Sequence, residues 1–296
     1  MLSKLKFPAT IIYLTVAGEE QGLYGSEHFA KMAKEKGWQI DGALNNDIVG
    51  GNRTPGDKEQ DPSIVRVFSE GIPSTATEKE RNRLLYLGYE DDGISRQLAR
   101  YVRIVGRAYL PQAGPGRFQP KLVFRQDRFL RGGDHISFNE AGFPAIRFTE
   151  YREDFNHQHQ TVRTERGIEY ADLPKFVDFD YVANVARLNA ATLASLAAAP
   201  AAPSNVRMSV KDLENVTQLA WDAVPGATGY EVLWRATTSP EWENIESFGE
   251  VTRATLPHSK DNVIFGVRAV GDHGHKSLVV VPLPVQSLDA PASPSK

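Results

Sequence analysis

Ala9-Thr10-Ile11-Ile12-Tyr13-Leu14-Thr15-Val16 runs directly into Ala17-Gly18-Glu19-Glu20-Gln21-Gly22-Leu23-Tyr24-Gly25-Ser26, and this junction decides how the chain folds. The first stretch is short, apolar and rich in β-branched residues, which predicts a strand over Ala9 to Val16. The second is punctuated by glycine, and a helix is predicted after it, from Ser26 to Lys36. Strand, turn and helix in succession are the building unit of an α/β sheet. Residues at the carboxyl end of such a strand stand where open sheets build their ligand sites.

Working outward, the same alternation continues. Strands are predicted over Gly42 to Ile48, Lys121 to Phe124 and Ala145 to Phe148, and helices over Ile94 to Ala108 and Leu173 to Ala199. The fold expected is α/β, a mixed twisted sheet flanked by helices. Residues 52 to 92 are polar and rich in Pro and Gly, and read as an insertion or lid rather than core. The last helix, built from good helix formers, ends at Pro200-Ala201-Ala202-Pro203-Ser204. That places one domain at 1–199 and a linker at 200–204.

Beyond the linker, short runs separated by turn signals cover 206–210, 218–222, 229–235, 253–256, 263–270 and 277–281. This rhythm predicts a C-terminal antiparallel β-sandwich over 205–290, with 291–296 as a disordered tail.

Composition excludes several function classes. The 296 residues carry a formal net charge of −3 with both signs scattered, so there is no basic stripe for nucleic acid. With no cysteine, any metal must sit on His, Asp and Glu. No run approaches the roughly 20 apolar residues of a membrane span. The basic and apolar N-terminus is only a strand long and lacks a small-residue cleavage site, so it does not read as a signal peptide.

Chemistry concentrates at the strand ends. On a turn, Glu19 and Glu20 point different ways, so one can ligate a metal while the other faces a water as general base. Both also suit a solvated helix start, where the dipole favours acids. Asp47 closes the strand Ala43-Leu44-Asn45-Asn46 as a hard oxygen ligand or as a turn residue. Three of the seven histidines, His135, His157 and His159, fall within 131–161.

Together these pieces resemble one family. Gly-Glu-Glu-Gln-Gly-Leu-Tyr-Gly-Ser at 18–26, Asn-Asn-Asp at 45–47, Asp-His-x-x-Phe-x-x-x-Gly-x-Pro-Ala at 134–145 and the late His look like the dizinc aminopeptidases related to bacterial leucyl aminopeptidase, metallopeptidase family 28. The resemblance implies a phosphorylase/hydrolase-like sheet, two zinc ions, and a peptide substrate with a free N-terminus. It makes Glu19 the general base and Glu20, Asp47 and His157 metal ligands, with His159 competing for the last place. Asp134 and His135 would line the pocket, or cap a helix. An exported protein, periplasmic or extracellular, is implied as well. Trp221, the Pro225 to Val232 string and Val263 to Val270 resemble a fibronectin type III domain, which implies contact with a protein or polymer.

The chain departs from the family pattern at two points. Thr161 stands where an Asp is usual after the late His. A His and a metal-bridging Asp are expected before the Glu pair, and residues 1–18 contain neither. The resemblance therefore implies an N-terminally truncated catalytic domain with doubtful metal occupancy and impaired hydrolysis. The alternative is a non-catalytic binding or adaptor protein that works through the sandwich.

Overall fold

The computed structural model describes residues 2–289 except 52, 53, 55, 113 and 115, so the tail expected at 291–296 lies outside the described residues. The chain forms two compact units. One is residues 12–193; the other joins 2–11 to 194–289.

In the first unit, strands β1 (Ala43–Asn46), β2 (Ile64–Ser69), β3 (Gln119–Val123) and β4 (Ala145–Glu150) make a sheet in the order β1-β4-β2-β3. It is mixed, as expected: β4 runs parallel to β1 and antiparallel to β2, and β3 is parallel to β2. A hairpin of β5 (Arg163–Glu165) and β6 (Ile168–Tyr170) stands apart. The helices are α1 (Tyr24–Glu35), α2 (Glu78–Tyr86), α3 (Ile94–Tyr109), α4 (His135–Ala141) and α5 (Phe179–Ala198). Helix α3 packs on β2, β3 and β4, helix α4 on β1 and β4, and α1 on α4. Ala30 of α1 closes on Phe138 of α4 and Ala145 of β4, so apolar packing ties the first helix to the sheet.

Two expectations fail here. Ala9 to Val16 forms no strand among the described residues, and Ile12, Tyr13 and Leu14 are 50%, 74% and 42% exposed. A strand exists only as part of a ladder, and this run instead crosses from one compact unit to the other between Ile11 and Ile12. Conversely, 52–92 is not all lid, because β2 is an interior strand with Val65, Val67 and Phe68 buried. Its Arg66 made the run look polar. The guanidinium is satisfied locally, donating from Nε to Glu150 O at 2.8 Å and from Nη2 to Glu153 at 2.9 Å.

The second unit is a two-sheet sandwich. Strands β7 (Arg207–Ser209), β8 (Thr217–Ala220), β9 (Ala227–Ala236), β10 (Asn244–Phe248), β11 (Arg253–Leu256), β12 (Val263–Gly271) and β13 (Leu283–Val285) form sheets β10-β9-β12 and β11-β8-β7-β13. Pairing is antiparallel except that β13 runs parallel to β7. Alternate residues Tyr230 and Val232, and Phe265, Val267 and Ala269, face inward onto Leu219, Trp221 and Leu256.

Residues 277–281 make an isolated bridge, Val280 to Val267, rather than the strand predicted there. On the opposite face of β9 and β12, Glu231 stands directly across from Arg268, 2.6 Å from its Nη2 and 2.7 Å from Lys276 Nζ. Strand β10 escaped the sequence reading because Asn-Ile-Glu-Ser-Phe is an exposed edge without an apolar alternation.

Tyr230 makes the polar tie of this core. Its ring lies 5.3 Å from Trp221, and its hydroxyl accepts the Val224 N–H at 2.7 Å. Tyr230→Phe keeps the ring and orphans a buried donor, which costs about 1–3 kcal/mol. The sandwich transition in thermal unfolding is expected to fall by several degrees, and an unchanged transition would contradict the role given to the hydroxyl.

Candidate functional site

The loop bearing Glu19 and Glu20 is fastened to the start of α1 by backbone hydrogen bonds. Tyr24 N donates to Gly18 O at 3.1 Å and Gly25 N to Ala17 O at 2.9 Å. This closeness requires glycine at 25, since a Cβ there would lie 2.6 Å from Ala17 O. The two acids thus diverge from a fixed turn even though, among the described residues, no strand precedes them.

Glu19 is partly buried. Burial lifts its carboxyl above the usual range, Asp47, Glu20 and Asp134 push it further up, and Arg147 pulls partly back. Glu20 is exposed and points to another partner, with Oε1 3.6 Å from Nδ1 of the equally exposed His159. A solvent-screened contact of this kind is worth little.

Asp47 follows β1, and its N–H donates to Phe148 O at 3.1 Å, which continues the ladder with β4 by one residue. Its Oδ2 lies 3.0 Å from Arg147 Nη2. Burial is the first influence on its carboxyl and raises it, with Arg147 and Arg128 opposing. Asp134 takes the N-cap position of α4 but makes no capping hydrogen bond, and its Oδ1 is buried without a partner among the described residues. The capping role considered for it is therefore not seen. His135 is fully buried, with Nε2 2.9 Å from Gln126 O, and burial lowers its pKa so that the ring is held neutral.

His157 sits in a separate frame. Its ring stacks on Phe176 at 3.6 Å, and Nδ1 lies 2.6 Å from Asp154 Oδ2. The Asp154 carboxylate accepts from Nδ1 and so fixes the ring's orientation, an arrangement also found in metal-ligating imidazoles. Asp154 is itself held from behind. Its N–H donates to Glu150 Oε1 at 3.2 Å, and Gly51 N donates to Glu150 Oε2 at 2.6 Å.

Of the predicted residues, the structure therefore gathers Glu19 and Asp47, together with Asp134, into one field of acids. It leaves Glu20 with His159 and His157 with Asp154. Among the described residues, no three His, Asp or Glu groups converge closely enough to hold an ion. The individual donors still suit zinc, being carboxylates and an imidazole oriented through Nδ1. Among the described residues the candidate donors lie in separate settings.

Sequence reading missed Arg147, Asp127, Glu150 and Asp154. Arg147 carried a usable signal, since a charge inside Ala145-Ile146-Arg147-Phe148 must be paired if that strand is buried.

An α/β sheet carrying acids at a strand end and a helix-start loop, followed by a β-sandwich, defines the class. Peptidase family M28 matches over residues 2–177, and the chain belongs to that family. It is 44% identical over 290 residues to a probable zinc metalloprotease of Pyrenophora tritici-repentis, covering 96% of this chain and 58% of the relative. A probable zinc metalloprotease of Leptosphaeria maculans is 45% identical, covering 96% and 65%, and one of Pyricularia oryzae is 45% identical, covering 93% and 55%. The chain thus spans between about half and two thirds of the length of these relatives. Among solved structures it is similar to an Fn3-like protein from Clostridium thermocellum, at 23% identity and a TM-score of 0.26, over 29% of this chain and 93% of that one.

Glu150 gives the site a pH signature. It is buried, and burial pushes its carboxyl from 4.5 up to about 7 against the two N–H groups that favour its charged form. The folded state then holds this proton more tightly than the unfolded state, so the associated stability is full below pH 4.5 and is lost as pH rises through about 7. Glu150→Gln is expected to remove a decline of roughly a few kcal/mol between those limits, since each tenfold difference in proton affinity is worth about 1.4 kcal/mol. Urea unfolding at pH 5 and pH 7.5 checks this, and parallel pH slopes in the two proteins would contradict it.

Proposed function

We propose that this chain is the acid-bearing part of a zinc-dependent aminopeptidase catalytic domain joined to a β-sandwich. The observation that carries the reading is Glu19, partly buried at the helix-start turn and raised by burial and by the nearby carboxylates of Asp47, Glu20 and Asp134, with Arg147 opposing. A carboxyl raised toward working pH is suited to take a proton from an attacking water and deliver it to a leaving amine. The zinc donors would be Glu20, Asp47 and His157, with His159 as the competing imidazole. When bound, zinc supplies Lewis-acid polarisation of the scissile carbonyl and a lowered pKa for the attacking water. The acidic field also attracts the ammonium of a substrate with a free N-terminus, which favours an exopeptidase over an endopeptidase. Because its donors do not converge, the isolated chain is expected to hold zinc weakly and to hydrolyse slowly.

The test is hydrolysis of an aminoacyl anilide and its N-acetylated form by the 296-residue chain with added zinc. Only the free amine is expected to react, slowly, and Glu19→Gln should lower that rate by about 10²–10⁴-fold. Equal cleavage of the acetylated substrate would overturn the aminopeptidase assignment. A rate unchanged in the Glu19 variant would overturn the role of that residue.

A further inference from the structure

The sequence holds the Asn-x-Ser/Thr pattern twice, at Asn52-Arg53-Thr54 and at Asn215-Val216-Thr217. This tripeptide is the acceptor for N-linked glycans, provided the middle residue is not proline. Asn52 and Arg53 lie outside the described residues, so the second occurrence is the one the structure bears on. Asn215 sits in the turn that leads into β8, and residues 211–215 are all exposed. Leu213 in this turn stands entirely in solvent.

The turn is fastened on either side of Asn215 but not through it. Lys260 Nζ donates to Asp212 O at 3.2 Å, and Gln218 Nε2 donates to Glu214 Oε1 at 3.3 Å. Thr217 is fully buried, its hydroxyl donating to His258 O at 2.7 Å. An asparagine in a turn commonly bonds the backbone two residues on. The Asn215 amide makes no hydrogen bond among the described residues, so a large polar group on its Nδ2 displaces no polar contact of the folded sandwich.

We propose that Asn215 is an N-glycosylation site, which commits the chain to passing through the lumen of a secretory pathway. In that step Nδ2 of Asn215 displaces a lipid diphosphate from the anomeric carbon of a lipid-linked oligosaccharide. One C–N bond forms, one C–O bond breaks, the lipid diphosphate leaves and the amide gives up one proton. The Thr217 hydroxyl that completes the acceptor is buried and engaged once the domain has folded, so transfer precedes the closing of β8 against the turn that carries His258. The glycan, bulky and solubilising, then covers the exposed Leu213 two residues away. The inference stands apart from the zinc reading above.

The experiment sends the full 296-residue chain, behind a secretion leader, into the secretory pathway of a eukaryotic host cell. Peptides of the lumenal and secreted protein are mapped before and after treatment with a peptide-N-glycosidase. Most wild-type chains are expected to carry a glycan on Asn215, and its enzymatic release should convert that residue to aspartate. Asn215→Gln should abolish the modification there, whereas Thr217→Ser and Asn52→Gln should retain it. Recovery of unmodified Asn215 from the wild-type chain would overturn the inference, whether or not Asn52 is modified. An unmodified Asn215 in the protein isolated from its own cells would overturn it equally.

Discussion

A guanidinium buried between Asp47 and Asp127 holds the acid-bearing end of the sheet in place. Removing the arginine would take from buried Asp127 one of its two cationic partners, Arg147 and Arg128, and from Asp47 its ion pair. The rest of the site follows from that constraint. Strand β4 carries the arginine between β1 and β2, the loop before α4 bends glycine-first over it, and the partly buried Glu19 carboxyl is raised by the charges of Asp47 and Asp134. The acids share their cations, since Asp127 pairs with both Arg147 and Arg128 and Asp47 with Arg147.

The His157 frame obeys the same logic with the signs exchanged. A buried carboxyl, Glu150, accepts the N–H of Asp154, and Asp154 in turn holds Nδ1 of His157. Of the candidate donors, His157 thus arrives with Nδ1 hydrogen-bonded and Asp47 with an ion pair to Arg147. The carboxylate of Glu20 is the exception, being exposed and paired only with His159. Residues 2–177 match peptidase family M28, and the chain spans 58% of a relative such as that of Pyrenophora tritici-repentis.

Much of the fold was legible because burial leaves a periodic trace. Strands β1, β3, β4, β9 and β12 lie where apolar, β-branched runs predict them, within a few residues. What failed did so for physical reasons. Arg66 disguised β2, polar side chains disguised the exposed edge β10, and Ala9 to Val16 has strand composition but no ladder to join. In the site, residue types at element ends pointed to Glu19 and Asp47, which do lie in one field. The sequence could not show that Asp47 would pair with Arg147, or that Glu20 and His157 would stand with other partners, because pairing depends on packing between segments far apart in the chain.

The central proposal is that Asp47, beside Glu19, ligates a metal ion. The direct measurement is zinc-edge anomalous scattering from crystals of the 296-residue chain grown with zinc. A peak is expected about 2.0–2.2 Å from a carboxylate oxygen of Asp47. Zinc found only on exposed histidines, with none at Asp47, would contradict the claim.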